Sequence, residues 1–269
     1  RKIDKIFSTG GYMSLPLIFA GKILNLDVFL IEPNLVLGRA NKFFLKLCKK
    51  IFCYTDQIKN FPKKFKDKII IIKPLVRKHF YKFVPSFKEK NKYNILVVGG
   101  SQGASIFDKN LKNIISNISK KNLFKIFQQT SETNISKLSD FYSKNNIENK
   151  IFSFNENFFD ILQETDLCIT RAGASTLAEL SIMNIPFIAV PLPTSKDNHQ
   201  LENANFYKRN GCCWTIEQND FEEKIEVCLR EIIEKESDYL RKKENLKKLN
   251  FQNSWINVNQ KIIRSLYEN

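Results

Sequence analysis

Residues 95–104 read ILVVGGSQGA, an aliphatic run followed by a glycine-rich turn. The run predicts a buried strand, and the amphipathic segment 104–119 predicts a helix directly after the turn. Glycine lets the chain turn sharply and lets a ligand approach the backbone closely. The first N–H groups of the helix and its dipole favour a phosphate at the same place. The spacing is that of neither a dinucleotide-binding fingerprint nor a P-loop, so this segment alone predicts either a phosphate-binding turn or a tight strand–helix connection.

The rest of the chain repeats this alternation of short apolar segments with helix-length amphipathic segments. Continuous apolar strands separated by helices are typical of parallel sheets that are covered on both faces, so we predict an α/β fold. The predicted strands are 5–8, 28–32, 51–54, 69–72, 95–98, 124–128, 151–154, 167–170 and 187–190. The predicted helices include 13–24, 39–49, 104–119, 158–164, 176–183 and 199–210.

The alternation is interrupted between residues 73 and 94. This segment is rich in lysine and phenylalanine and contains two prolines and a run of charged residues. We therefore expect a domain junction here, with an incomplete α/β domain over 1–76 and a complete one over 77–250. The last segment, 251–269, is expected to be a helix that packs back on the first domain.

The composition excludes several classes of protein. A hydrophobic fraction of 43% is enough for packed cores, and no apolar run reaches the roughly 20 residues that a membrane-spanning helix needs. A formal net charge of +15 fits nucleic acid, anionic lipid or a small anionic substrate. Because the lysines are spread along the chain and no nucleic-acid-binding motif occurs, we predict no nucleic-acid partner.

Cysteine and histidine usage bears on metals and on cellular location. The six cysteines form no CxxC pair, and the chain has two histidines, His79 and His199. This pattern predicts no metal site and no other cofactor. Scattered thiols in a chain of this size are typical of a reducing compartment, so we expect a cytosolic protein.

A second strand–turn–helix unit lies at residues 167–179, which read LCITRAGASTLAE. The small residues 174–176 would present N–H groups and hydroxyls to a diphosphate. Glu179, one turn farther along, is placed to accept both hydroxyl groups of a ribose. The alternative is a capping box, in which Thr176 and Glu179 only satisfy the start of the helix. Arg171 would be a ligand contact in the first case and a surface charge in the second.

A third unit lies at residues 190–204, which read VPLPTSKDNHQLENA. Gln200 and Asn203 are three residues apart and share one face of the predicted helix. Their uncharged amides suit a neutral sugar, whose hydroxyls need both donors and acceptors. The alternative is a helix that is merely well capped by Asp197 or Asn198. Because all three turns follow strands of one predicted parallel sheet, we expect them to converge at its carboxyl edge.

The order of these motifs resembles that of the MurG family of peptidoglycan glycosyltransferases. The chain has GGSQGA at 99–104, RAGAST followed by a glutamate at 171–179, and DNHQ-x-x-NA at 197–204. Near the start, STGGYMS at 8–14 and IEPN at 31–34 resemble two further stretches of the family. The resemblance implies a GT-B fold, in which two Rossmann-like parallel-sheet domains face a cleft, the first of them incomplete here.

The resemblance also implies a reaction and a location. Members of the family transfer N-acetylglucosamine from UDP-N-acetylglucosamine to lipid I, with inversion, and so make lipid II for peptidoglycan synthesis. The chain would act at the cytoplasmic face of the bacterial inner membrane, with 1–76 toward the acceptor and the membrane and 77–250 holding the donor. The residues also fit a GT-B transferase for another lipid acceptor, a UDP-sugar epimerase, or an inactive UDP-N-acetylglucosamine-binding fragment.

The resemblance also implies which residues bind the donor, according to their positions in the family's motifs. The helix starts and Arg171 would stabilise the leaving diphosphate without a metal. The chain begins after the first glycine-rich loop of the family, so we expect an upstream segment that carries the general base, and we assign no catalytic residue. The predicted donor-binding residues are Asn34, Arg77, Ser101, Gln102, Asn155, Arg171, Ala174, Ser175, Thr176, Glu179, Gln200 and Asn203.

The segment 39–49 suggests a peripheral membrane contact. It places Phe43 and Phe44 beside Lys46 and Lys49, and aromatic residues among lysines suit an anionic membrane surface. The alternative is an ordinary amphipathic helix whose phenylalanines lie in the core.

Overall fold

The computed structural model describes residues 3–11, 13–82, 93–99, 104–119, 124–155 and 157–267. Within these ranges the strands form two sheets, one of four strands and one of six, and every neighbouring pair is parallel. Buried side chains pack on both faces of the sheets, as continuous apolar strands require. The predicted fold class, α/β with two parallel-sheet domains, is confirmed.

The first sheet contains β1 (Lys5–Ser8), β2 (Asp27–Glu32), β3 (Lys50–Cys53) and β4 (Ile69–Ile71), in that spatial order. Helices α1 (Ser14–Ile23) and α2 (Arg39–Phe44) pack beside it. Helix α1 lies so close to β1 that a Cβ on Gly21 would overlap the side chain of Ile6. Helix α2 ends five residues before the predicted end, because Lys49 N–H already donates to Val28 O at the start of the next strand.

The second sheet contains β5 (Tyr93–Val98), β6 (Phe124–Gln129), β7 (Glu148–Phe152), β8 (Leu167–Thr170), β9 (Phe187–Ala189) and β10 (Cys213–Thr215). Their spatial order is β10-β9-β8-β5-β6-β7, so the direction of winding reverses between β5 and β8. Strand β7 ends two residues earlier than predicted. Strand β10 was not predicted, because three residues at a sheet edge carry almost no periodic signal.

Helices cover both faces of the second sheet. Alternate residues of β5 separate the two cores: Leu96 belongs to one buried cluster, and Ile95 and Val97 belong to the other. The helices are α3 (Ala104–Ser119), α4 (Ile135–Lys144), α5 (Phe158–Glu164), α6 (Ala174–Ile182), α7 (His199–Arg209), α8 (Phe221–Glu234) and α9 (Glu236–Leu249). Of the helices within the described ranges, none has both the length and the hydropathy that a bilayer crossing requires.

The last helix, α10 (Trp255–Tyr267), packs on the first sheet. Its buried residues Val258 and Ile262 form a cluster with Phe29, Phe52 and Ile72. The chain therefore crosses twice between the two sheets, once after β4 and once after α9. This second crossing joins the first sheet to the end of the chain.

Neighbouring isoleucines on α10 provide a matched test of this packing. Ile262 is buried and Ile263 is 54% exposed. We expect Ile262→Ala to lower the free energy of unfolding by about 2 to 5 kcal/mol, because it leaves a cavity against the first sheet. Ile263→Ala should change it by less than about 0.5 kcal/mol. Equal effects in urea unfolding would mean that α10 does not pack as described.

Candidate functional site

The carboxyl ends of β5 and β8 lie side by side where the strand order reverses. Val98 pairs with Thr170, and the Arg171 N–H donates to Val98 O at 3.3 Å. Open parallel sheets bind ligands at such a reversal. The chain therefore leaves both strands at the same edge of the sheet. Ser101 and Gln102, two of the predicted diphosphate contacts, lie outside the described residues.

Helix α6 begins without a side-chain cap. Its N-cap residue is Gly173, in an extended conformation (φ −68°, ψ 135°), and the Leu177 N–H donates to Gly173 O at 3.0 Å. The N–H groups of Ala174, Ser175 and Thr176 therefore have no acceptor within the helix and suit an anion. Thr176 is the third helical residue, so the capping-box alternative fails, since that motif needs the threonine at the N-cap.

Glu179 lies one turn into α6 and faces Arg77. Its carboxylate is 16% exposed, and Arg77 Nη2 is 3.3 Å from Glu179 Oε1. Burial raises the pKa of the Glu179 carboxyl, and the Arg77 guanidinium partly offsets this. Arg77 also lies over the ring of Phe80, 5.1 Å from its centroid. The structure thus brings together two residues that lie far apart in the sequence and that were both predicted to bind the donor.

Arg171 is buried behind the strand ends. Its Nη1 donates to Val190 O at 3.1 Å and Pro191 O at 3.4 Å, and its Nη2 donates to Gln218 Oε1 at 2.7 Å. The guanidinium also lies 5.3 Å from the ring centroid of Phe107, while its Nε has no hydrogen-bond partner. Burial lowers its pKa. Among the described residues no carboxylate pairs with Arg171, so its charge favours an anion at the neighbouring turn.

Gln200, in the first turn of α7, is held by two backbone groups. Its Oε1 accepts from Ala172 N at 3.1 Å and from Leu192 N at 3.0 Å. No hydrogen bond from its Nε2 to a described residue is formed. The amide was predicted to offer a sugar both donors and acceptors, but its oxygen is already engaged, which leaves mainly the N–H groups.

Asn203 is buried, with 1% of its surface exposed, and links the two domains. Its Oδ1 accepts from Leu35 N at 2.9 Å. Its Nδ2 donates to Ala172 O at 3.1 Å and to Asn34 Oδ1 at 3.2 Å. Asn34 and Asn203, both predicted to bind the donor, therefore contact each other.

A cleft of about 450 Å³ opens beside this link. At its floor the buried Glu32 carboxylate accepts from Gly38 N at 2.8 Å and from Asn41 Nδ2 at 2.9 Å. Gly10, with φ +81°, lies against Asn41, and a Cβ there would be 2.6 Å from Asn41 Oδ1. Residues from both domains line the cleft, among them Thr9, Asn34, Arg39, Phe43, Lys196, Asp197 and His199.

Two features of this cleft were not predicted from the sequence. Glu32 ends a buried strand, and an acidic residue at such a position was the available signal for a polar floor. Arg39 and Asp197 form a two-bond ion pair across the domains, with distances of 3.1 and 3.0 Å. Their pairing had no local signal, because 158 positions separate them.

Asn155 lies apart from these contacts. It follows the end of β7, and its Oδ1 accepts from Asn157 N at 2.8 Å. This side chain shapes its own loop, and a ligand role for it stays a prediction. Beside it, the ring of Phe154 is 78% exposed.

The described residues offer neither a metal cluster nor an activated thiol. No group of three or more His, Cys, Asp or Glu in these ranges is arranged to hold a metal ion. Burial raises the pKa of Cys53 and of Cys228 to about 12 and that of Cys212 to about 11, so these thiols are poor nucleophiles.

The contact between Arg77 and Glu179 predicts a pH-dependent effect of substitution. Arg77→Gln should raise the folded-state pKa of Glu179 further above its unfolded value. A raised pKa stabilises the folded state below the unfolded pKa, and this stabilisation is lost as the pH rises through the folded pKa. We therefore expect Arg77→Gln to lower the free energy of unfolding more at about pH 7 than at about pH 4, as measured in urea.

The control is the same substitution in a Glu179→Gln background. There the effect of Arg77→Gln should no longer depend on pH. An equal effect at both pH values in the chain that retains Glu179 would contradict the coupling.

Comparisons with known proteins show the family of the chain. Residues 94–257 match the glycosyltransferase family 28 C-terminal domain. A protein of Pelagibacter ubique, named UDP-N-acetylglucosamine–N-acetylmuramyl-(pentapeptide) pyrophosphoryl-undecaprenol N-acetylglucosamine transferase, is 50% identical over 100% of this chain and 76% of its own length. The protein of the same name from Rickettsia canadensis is 35% identical over 81% of this chain and 63% of its own length.

A solved structure shows the same architecture. The chain superposes on MurG of Acinetobacter baumannii with a TM-score of 0.78 and 23% identity, covering 97% of this chain and 74% of that one. At this identity the likeness establishes the GT-B fold. Together with the matches in sequence, it shows that the chain belongs to the MurG family of UDP-N-acetylglucosamine-dependent glycosyltransferases.

Proposed function

We propose that this chain transfers N-acetylglucosamine from UDP-N-acetylglucosamine to lipid I and so makes lipid II. The observation that carries the proposal is the meeting, at one sheet edge, of the uncapped start of α6, Glu179 and Gln200. These three features match the three parts of a nucleotide-sugar: an anionic diphosphate, a ribose and a neutral sugar. The names of the sequence relatives support the choice of donor and acceptor.

The donor would lie across the second domain. Its diphosphate faces the N–H groups at the start of α6 and the turn that contains Ser101 and Gln102. Its ribose hydroxyls donate to the Glu179 carboxylate. They replace Arg77 as the partner of this carboxylate. The freed guanidinium then lies near the diphosphate. The backbone at Asn155 would contact the uracil, as the family resemblance implies.

The sugar would extend toward the first domain. Gln200 Nε2 donates to a sugar hydroxyl, because its Oε1 is held by Ala172 and Leu192. Asn34, which lines the cleft, would meet the sugar from the first domain. The sugar is therefore held from both domains, whereas the nucleotide is held from one.

The reaction is an inverting displacement. The acceptor hydroxyl attacks the anomeric carbon, the bond from that carbon to the diphosphate breaks, and UDP leaves with the bonding electrons. Negative charge grows on the diphosphate, next to the α6 N-terminus and the buried Arg171, which stabilise it without reorganising. A general base takes the hydroxyl proton, and we assign this role to no described residue.

The two domains would divide the substrates. Residues 1–76 would face the acceptor and the membrane, residues 77–250 would hold the donor, and α10, within the segment 251–269, packs on the first domain. In the first domain, α1 and α2 present large apolar side chains to solvent. The most exposed are Met13, Leu17, Ile23, Leu24 and Phe43.

This apolar surface suits peripheral contact with an anionic membrane at the cytoplasmic face of the bacterial inner membrane. Phe43 is 57% exposed and Lys46 is also exposed. The expectation that Phe44 also faces lipid is wrong, because its ring is fully buried in the core of the first domain. Phe43, packed edge-on against Phe44 and Phe19, is the aromatic residue of α2 that reaches solvent.

The transfer reaction itself tests the proposal. The purified chain should convert lipid I in detergent and radiolabelled UDP-N-acetylglucosamine into lipid II. Donor binding without transfer would favour the inactive fragment, and transfer to a different lipid would favour another acceptor. Formation of UDP-N-acetylmannosamine would favour an epimerase. Each of these three results contradicts the proposal.

Glu179→Gln tests the ribose contact. We expect UDP to bind about ten- to a hundredfold more weakly, because a hydrogen bond to a charged group contributes roughly 1.5–3 kcal/mol. The unsubstituted chain should bind UDP more tightly than 2′-deoxy-UDP, and Glu179→Gln should largely remove this preference. Glu222→Gln, an exposed change on α8, is the control. A preference that survives Glu179→Gln would place the ribose elsewhere.

Phe43→Ser tests the membrane surface. Burying a phenylalanine side chain in an apolar phase contributes about 1.5–3 kcal/mol, so binding to anionic vesicles in a flotation assay should fall roughly tenfold or more. Val227→Ser on α8 removes a side chain that is 58% exposed and should have no effect. Loss of binding from both variants, or from neither, would contradict the assignment.

A further inference from the structure

Asn203 occupies an unusual position for a predicted ligand contact, because the first turn of α7 binds both backbone polar groups of Ala172. Gln200 Oε1 accepts from Ala172 N at 3.1 Å, and Asn203 Nδ2 donates to Ala172 O at 3.1 Å. Ala172 lies between Arg171 and the start of α6. The first turn of α7 therefore fixes the turn that leads into the proposed diphosphate site.

The same side chain reaches into the first domain. Asn203 Oδ1 accepts from Leu35 N at 2.9 Å, and Nδ2 donates to Asn34 Oδ1 at 3.2 Å. An asparagine amide has two N–H groups and one carbonyl oxygen, and all three are engaged by the protein. At 1% exposure, Asn203 has no surface left with which to bind a donor.

Asn34 is consequently oriented from two directions. Its Nδ2 donates to Glu32 Oε1 at 3.2 Å, while its Oδ1 accepts from Asn203. This pair of contacts decides which end of the amide is oxygen and which is nitrogen. One N–H group and one lone pair of Asn34 remain for the cleft that it lines.

Other links between the domains at this point are weaker constraints. Arg39–Asp197 and Lys59–Glu202 are ion pairs whose basic side chains are 69% and 52% exposed. Exposed ion pairs contribute little and are screened by salt. The contact through Asn203 is buried and neutral. Removing one partner would leave a buried polar group without a hydrogen bond, which costs more free energy than the loss of an exposed ion pair.

We propose that Asn203 is a positioning residue that holds Asn34 of the first domain at the sugar side of the donor site built by the second domain. The inference rests on the proposed function, since it assumes that the chain binds a UDP-sugar. It replaces the expectation that Asn203 touches the donor. Loss of Asn203 should affect recognition of the sugar more than recognition of the nucleotide, because Gln200 still binds the Ala172 N–H beside the diphosphate site.

The test compares Asn203→Asp with the unsubstituted chain. The aspartate has nearly the same shape, but its carboxylate cannot donate to Ala172 O or Asn34 Oδ1 and repels both. Dissociation constants for UDP and UDP-N-acetylglucosamine are measured by isothermal titration calorimetry. We expect the ratio of the UDP constant to the UDP-N-acetylglucosamine constant to fall about tenfold, with UDP itself changed less than about threefold.

Two comparisons make the result specific. Asn210→Asp is the same chemical change on the exposed end of α7 and should leave the ratio unchanged. In an Asn34→Ala background, Asn203→Asp should alter the ratio no further, because the residue that it positions is gone. If Asn203→Asp does not fold, Asn203→Ser, which is neutral and smaller, is measured in the same way.

The outcomes separate the inference from the proposed function. An unchanged ratio, with UDP and UDP-N-acetylglucosamine weakened equally or not at all, overturns the inference and leaves the proposed function standing. A further fall of the ratio when Asn203→Asp is added to the Asn34→Ala background also overturns it. If the unsubstituted chain binds neither ligand, the proposed function fails, and the inference fails with it.

Discussion

One turn of α7 binds both the N–H and the carbonyl of Ala172, and the arrangement of the donor site depends on these contacts. Gln200 and Asn203 are about one helical turn apart, so they reach the two peptide groups on either side of the Ala172 Cα. Ala172 precedes the start of α6, and Asn203 also carries the link to Leu35. The turn, the helix start and the first domain are therefore fixed by a few neutral hydrogen bonds in a buried setting, where such bonds are costly to break.

The electrostatics of the site follow from two groups without a neutralising partner among the described residues: the first N–H groups of α6 and the Arg171 guanidinium. Helix α6 starts at a glycine without a side-chain cap, so its first N–H groups remain available. Arg171 is buried against backbone carbonyls, Gln218 and the Phe107 ring, and none of these neutralises its charge. Both features raise the positive potential at the edge where β5 and β8 end. A glycosyltransferase needs such a potential as the diphosphate leaves.

The fold and the sheet edge that carries the candidate site were predictable from the sequence, for a physical reason. Aliphatic strands that alternate with helices specify a parallel sheet, and neighbouring parallel strands end at one edge, so the carboxyl ends of β5 and β8 had to approach each other. The α/β fold with two parallel sheets followed from the same pattern. The membrane prediction failed in part, because helical phase on α2 decides that Phe43 faces solvent and Phe44 faces the core.

The tertiary pairings were not predictable in this way. Asn203 and Leu35 are 168 positions apart, and Arg77 and Glu179 are 102 apart, so no local pattern signals either contact. The motif at 197–204 indicated two amides on one face, which fits a sugar site. Only the folded chain shows that one of these amides grips the protein instead. The distinction between a ligand contact and a positioning residue lies in long-range geometry.

The most direct test of the donor site is nitrogen-15-edited NMR of the chain during titration with UDP. The amide signals of Ala174, Ser175 and Thr176 should shift strongly and together as the diphosphate accepts their N–H groups, while amides of α8 stay in place. Saturable binding of UDP that leaves the signals of residues 174–176 unmoved would show that the start of α6 does not hold the diphosphate.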